Sequence, residues 1–146
     1  MARRLNHPVY LLDTNIWLER LLNQRRAEEV RDFLDRIDST ELCLSDFSLH
    51  SICVILGRSQ KFQVLEEFIE DLFTAGSVRI AILSGLEIPN IIAAMRSQHL
   101  DFDDAYQYAL VKRDRFQLVS FDADFDRSDI VRKTPAEVLA GLPPVI

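Results

Sequence analysis

Pro8-Val-Tyr-Leu-Leu-Asp-Thr-Asn15 is the stretch on which the fold turns. Val9 to Leu12 is a short, uninterrupted apolar run and reads as a buried strand. It stops at Asp13, and Asp13-Thr-Asn15 offers side chains that can cap a helix from Ile16 to Leu22. The same kind of junction recurs downstream. Asp122 follows Gln117-Leu-Val-Ser-Phe121, and Asp104 stands in the first turn of a helix opened by Asp101. Open parallel sheets gather strand ends and helix starts along one edge, where their ligands bind. Carboxylates gathered there repel one another until a cation or protons neutralise them, so the pattern points to a divalent-metal site.

Between these junctions strands and helices alternate. From Ala27 to Ile37 the residues Val30, Phe33, Leu34 and Ile37 repeat at helical spacing. Glu41 to Leu44 reads as a second strand, and Ser45 as the N-cap of a helix that stops at Gly57. Phe62, Leu65, Ile69, Leu72 and Phe73 form an apolar stripe between Lys61 and Ala75, ending at Gly76, and Val78 to Leu83 reads as a strand. Ile88, Ile91, Ile92 and Met95 share one face between Glu87 and His99, so a helix is expected there, with Pro89 tolerated because it falls in the first turn. The helix from Asp101 runs to about Asp114, Phe116 to Phe121 makes a strand, and Ile130-Val131 a short final one. Thr134-Pro-Ala-Glu137 has the capping-box pattern for a last helix to Leu139. Strands joined by helices of this length imply right-handed crossovers. The expected fold class is therefore α/β: a three-layer α/β/α sandwich around a mainly parallel central sheet, one domain over residues 1–146.

A chain of 146 residues, 48% hydrophobic, can bury one real core. No apolar run reaches the roughly 18 residues that span a bilayer, and Val9 to Leu12 is too short for a signal-peptide core. No membrane association and a cytoplasmic location are expected. Cys43 and Cys53 lie in apolar contexts without Cys-x-x-Cys spacing and read as buried, reduced thiols. The formal net charge of −6 argues against a broad basic footprint for nucleic acid. It leaves a nuclease open, because carboxylates that hold metal inflate the negative count while the ion restores positive charge locally. Arg3, Arg4, Arg20, Arg25, Arg26, Arg58 and Lys61 fall near expected loops or helix ends and are candidate phosphate contacts. Trp17 and Tyr106 fit helix core or a protein interface.

Taken in order, the strand into Asp13-Thr-Asn15, Asp104-Ala105 opening a late helix, Leu118-Val-Ser-Phe-Asp122 with Asp124-Phe125 beyond it, and the closing Thr134-Pro135 resemble the PIN domain family. That family is a metal-dependent nuclease fold that includes the VapC toxins of toxin–antitoxin pairs. The resemblance implies a ribonuclease in which acidic residues bind Mg2+ or Mn2+ for in-line attack of water on an RNA phosphodiester. It makes Asp13 the central ligand, with Asp104 and Asp122 completing the cluster, and gives Asn15 and Ser120 orienting roles with Asp124 nearby. A small antitoxin and a homodimer are the partners it implies.

One position departs from the family pattern. The helix after the second strand normally carries a glutamate about six residues past its opening serine; here Ser51 stands there, and no acid follows before Gly57. His50 is one position earlier, with Asp46 one turn before it on the same face, so an Asp46–His50 pair could reach the site or could remain a cap beside a solvated imidazole. The alternative to a nuclease is a PIN-like scaffold weakened or inactive in catalysis, serving as an RNA-binding or protein-interaction module. Asp122-Ala-Asp124-Phe-Asp126 is not a calcium loop, since Arg127 and Lys133 occupy the positions that need glycine and a bidentate glutamate. A phosphatase-type nucleophile in this motif would leave the Asp13 junction and the Asp104-Ala105 pair unexplained.

Overall fold

The computed structural model describes residues 8–144, so Arg3, Arg4 and the outermost residues of the expected domain lie outside it. Four strands, β1 (Tyr10–Leu12), β2 (Leu42–Ser45), β3 (Arg79–Ala81) and β4 (Gln117–Val119), form one sheet in the order β3-β2-β1-β4. Every pairing is parallel, with Tyr10 beside Leu42 and Gln117, and Leu44 beside Ile80. Parallel neighbours need crossovers, and helices supply them. The helices α1 (Thr14–Leu21) and α2 (Ala27–Arg36) join β1 to β2, and α3 (Asp46–Arg58) and α4 (Phe62–Ile69) join β2 to β3. From β3 the chain runs through α5 (Ile88–Gln98) and α6 (Phe102–Asp114) to β4, and α7 (Pro135–Ala140) closes the described chain.

The sheet is covered on both faces because successive strand residues point to opposite sides. Tyr10, Leu12, Leu42, Leu44 and Val119 face a core shared with Ile16, Phe33, Ile52, Phe68 and Val138 of α1, α2, α3, α4 and α7. Leu11, Cys43 and Leu118 face a second core with Ile91 of α5 and Leu110 of α6. Fully burying one such side chain stabilises the fold by roughly 1.5–3 kcal/mol. The continuous apolar runs of β1 and β2 are buried on both faces, whereas Arg79 and Ile80 of the edge strand β3 are exposed.

Three expectations change. Ile130-Val131 does not form a strand; the chain returns to the sheet at Lys133, which bridges Val119 in parallel. There Ser120 N donates to Lys133 O at 3.0 Å and Lys133 N donates to Leu118 O at 3.0 Å. The cause lies in side chains that capture the segment: Gln117 Nε2 donates to Val131 O at 2.9 Å, and Arg132 binds Asp126 and the Ser120 carbonyl. The stripe from Lys61 to Ala75 is not one α-helix, since α4 gives way to a wider π-type turn over Glu70–Thr74. Cys53 is only half-buried, whereas Cys43 is buried and its thiol is pushed up to about 11, chiefly by burial; both are free. Trp17 and Tyr106 are core residues, as the sequence suggested.

Candidate metal centre

The site grows from the register of β1 and β4. Leu12 pairs with Val119, so the next residues, Asp13 and Ser120, emerge together at the C-terminal edge of the sheet, where Asp13 N donates to Val119 O at 3.0 Å. This edge lies between β1 and β4, where the strand order reverses, the crevice in which open α/β sheets bind ligands. Asp13 is also the N-cap of α1, accepting from Thr14 N at 2.8 Å through Oδ1. Gln107 Nε2 donates to the same oxygen at 3.2 Å, while Oδ2 accepts from Ser120 Oγ at 2.7 Å and Asn15 Nδ2 at 3.3 Å. Asn15 also donates to Ser120 Oγ and accepts from Phe121 N, which locks the Asp-Thr-Asn turn onto the end of β4.

The start of α6 delivers the next carboxylate. Asp101 is the cap, accepting from Asp104 N at 3.0 Å, so Asp104 falls in the first turn and is buried. Asp122 opens the turn after β4, its N–H donating to Ser120 Oγ at 3.0 Å and its carboxylate accepting from Asp124 N at 2.8 Å. Asp104, Asp122 and Asp124 each bring a carboxylate oxygen to within 4.8 Å of the others. Asp13 lies outside that three-residue set, yet its charge is felt by Asp104.

The electrostatics are those of an unneutralised acidic cluster. Burial, followed by the charges of Asp101, Asp122, Asp13 and Asp124, pushes the Asp104 carboxyl up to about 7. Burial raises that of Asp13 as well, opposed by the hydrogen bonds from Ser120, Gln107 and Thr14 and reinforced by Asp122. Among the described residues no hydrogen-bond donor reaches the Asp104 carboxylate. Its neighbour Asp124 has only an exposed pair with Arg127 at 3.3 Å, a contact of small worth in water. Hard oxygens held close, short of donors and short of cations, fit a hard divalent cation.

The α3 side differs from expectation. Asp46 and His50 do not pair: Asp46 Oδ1 accepts from Tyr106 Oη at 2.6 Å and from Phe47 N at 2.9 Å, and His50 is exposed. Tyr106 reaches Asp46 because α6 packs across the start of α3, and its hydroxyl also accepts from Leu83 N at 3.0 Å. Ser51 is half-buried, and α3 contributes no carboxylate to the cluster. Two residues that sequence reasoning missed sit there instead. Ser48 is fully buried and takes hydrogen bonds from Thr14, Ser45 and Gln107, and Gln107 is itself 4% exposed. Gln107 stands three residues after Asp104, hence on its face of α6, and is the one uncharged polar amide in Tyr106–Val111; that was the available signal. A separate cleft of about 470 Å3 lies between α1, α2 and α4, lined in part by Trp17, Leu21, Leu34 and Phe68, and contains none of the clustered acids.

The PIN domain family matches residues 10–131, and the chain belongs to that family. No curated protein matches it by sequence. Among solved structures it is similar to Mycobacterium tuberculosis VapC20, a sarcin-ricin loop cleaving toxin, with 18% identity over 86% of this chain and 99% of that one and a TM-score of 0.70. It is also similar to FitAcB from Neisseria gonorrhoeae, with 23% identity over 87% of this chain and 98% of that one and a TM-score of 0.69. A toxin–antitoxin complex from Klebsiella pneumoniae matches with 22% identity over 80% of this chain and 89% of that one, at a TM-score of 0.63. At these identities the likeness is one of fold.

Proposed function

We propose that this chain is a metal-dependent endoribonuclease that hydrolyses RNA phosphodiesters and serves as the toxin component of a type II toxin–antitoxin pair in the cytoplasm. The observation that carries the reading is the meeting of Asp104, Asp122 and Asp124 beside Asp13 at the strand-order reversal. Bound Mg2+ or Mn2+ would lower the pKa of an attacking water and offset charge on the scissile phosphate. Asp104 and Asp122 would hold the ion, with Asp13 as the ligand from the sheet edge, directly or through a water kept by the ion, and Asp124 at the solvent side. Asn15 and Ser120 keep Asp13 in one orientation through direct hydrogen bonds.

Membership of the PIN family and the fold shared with toxin–antitoxin structures support an antitoxin partner. Ile80 on the edge strand β3 and Ile82 just beyond it stand exposed, apolar surface that a second copy would cover in a homodimer. Among the described residues no helix is long and apolar enough to cross a membrane. A second reading, a PIN scaffold weakened in catalysis, is favoured by one feature: Ser51 and the capture of Asp46 by Tyr106 leave α3 without a carboxylate for the ion.

Cleavage of a panel of structured and single-stranded RNAs, with Mg2+, Mn2+ or EDTA and beside Asp104→Asn prepared identically, separates the two. Cleavage that requires metal and vanishes in the variant is expected. Folded protein that cleaves nothing under any metal would favour the scaffold.

A further inference from the structure

Gln107 is a costly choice for its position. Its side chain is buried, and among the described residues its carbonyl oxygen Oε1 has no hydrogen-bond partner. A buried polar atom left without a partner destabilises the fold. An apolar residue of similar volume would fill this face of α6 without that cost, so the amide must contribute something leucine could not. Its nitrogen has that role: Nε2 donates to Asp13 Oδ1 at 3.2 Å and to Ser48 Oγ at 2.9 Å, accounting for both amide hydrogens. Ser48 is in turn held by Ser45 Oγ at 3.0 Å and Thr14 Oγ1 at 2.9 Å, so this one amide joins α6, the start of α3 and the end of β1.

We propose that Gln107 is the positioning residue of the acidic site, fixing the Asp13 carboxylate and anchoring it to the hydroxyl nest at the start of α3, on the side where α3 supplies no acid. Asp13 then has two donors on each oxygen, which leaves it one orientation. A glutamate reaching in from α3 would bring another negative charge to a buried cluster that already repels itself; Gln107 brings donors and no charge. The site is therefore built to keep its geometry with fewer carboxylates. The inference rests on the reading of the cluster as a metal site, and its test separates the two.

The experiment is a Mn2+ titration followed by thermal shift, with RNA cleavage kinetics measured alongside, on wild type, Gln107→Leu, Gln107→Glu and Ser48→Ala. Residues that orient metal ligands typically change metal affinity or activity by about 10–100-fold. Gln107→Leu is expected to raise the Mn2+ concentration for half-saturation by about 10-fold and to lower kcat while KM for RNA stays within about twofold. A merely structural loss would lower the melting temperature without that split. Ser48→Ala is expected to give a smaller change of the same kind and keeps the proposal testable if Gln107→Leu does not fold. Gln107→Glu is expected to weaken Mn2+ binding or leave it unimproved, since the donor is gone. Tighter Mn2+ binding with faster cleavage in Gln107→Glu would overturn the proposal, because the position would then lack only charge. So would unchanged half-saturation and kcat in a folded Gln107→Leu. Wild type that shows no Mn2+-dependent shift would sink the metal-site reading itself, and this inference with it.

Discussion

Replacing Asp104 by asparagine should make the metal-free protein more stable, and the gain should grow with pH. The side chains are nearly the same shape, and the capping hydrogen bond from Asp104 N to Asp101 involves only the backbone of residue 104. What changes is charge. In the unfolded chain the Asp104 carboxyl titrates near 3.8, and in the folded protein near 7. Between those values the folded state keeps a proton that the unfolded state has released, so stability falls as pH rises through the interval and stays low above it. One pKa unit corresponds to 1.36 kcal/mol, which puts the ceiling at about 4 kcal/mol. Asp101 and Asp124, two of the repelling neighbours, are exposed and screened by solvent, so about 1–2 kcal/mol is the expected gain. For a chain of this size that is a rise of about 2–8 °C in melting temperature. Melts of both proteins in EDTA from pH 4 to pH 8 should show curves that coincide at the acid end and separate towards pH 8. Adding Mn2+ at pH 8 should raise the wild type and leave Asp104→Asn nearly unmoved. A gap that is constant with pH, or a variant less stable than wild type at pH 8 in EDTA, would refute the reasoning.

Ser51→Glu, which restores an acid on α3, should tighten Mn2+ binding and raise RNA cleavage if its carboxylate reaches the cluster; unchanged titration curves would mean that Gln107 and Ser48 already close that side. Tyr106→Phe removes the hydroxyl that accepts from Leu83 N and donates to Asp46, leaving both without that partner, and urea denaturation should show a loss of about 1–3 kcal/mol. Gly76→Ala would place its Cβ 2.5 Å from the Asp71 carbonyl oxygen and 3.1 Å from that of Leu72. Because both are backbone atoms, the close of the π-type turn must shift, and a melting temperature equal to wild type would show that the turn yields freely.

Most of the fold was legible because β1 and β2 are apolar runs that end on capping residues and the helices open on recognisable caps. Asp13, Ser45, Asp101 and Thr134 are all N-caps in the structure, and each reads as one in the sequence. The ends of α5 and α6 were legible too, although both helices stop on non-glycine residues in the left-handed conformation, His99 and Arg115 at φ 56 and 57. What escaped was decided by tertiary contacts. The bridge at Lys133 depends on side chains of Gln117 and Arg132 that no local pattern reveals. At the site the junction aspartates stood out by their position in the sequence, but the inward glutamine did not, because its partners Asp13 and Ser48 are 94 and 59 residues away. The same distance misdirected the reading of Asp46, whose nearest acceptable partner by helical spacing was His50 and whose actual partner, Tyr106, is 60 residues away.

Ser120 Oγ and Asp13 are 107 residues apart along the chain and 2.7 Å apart in the site. Asp104, Asp122 and Asp124 are likewise made late in synthesis, and β4 must dock beside β1 across that long loop before any of them meets Asp13. Contacts this distant form only after the entropy of closing the loop has been overcome. A growing or interrupted polypeptide that has produced β1, β2 and β3 therefore carries Asp13 alone, with no cluster for a cation to bridge. The acidic cluster is complete only once β4 lies beside β1, so its assembly depends on the pairing most distant in the sequence.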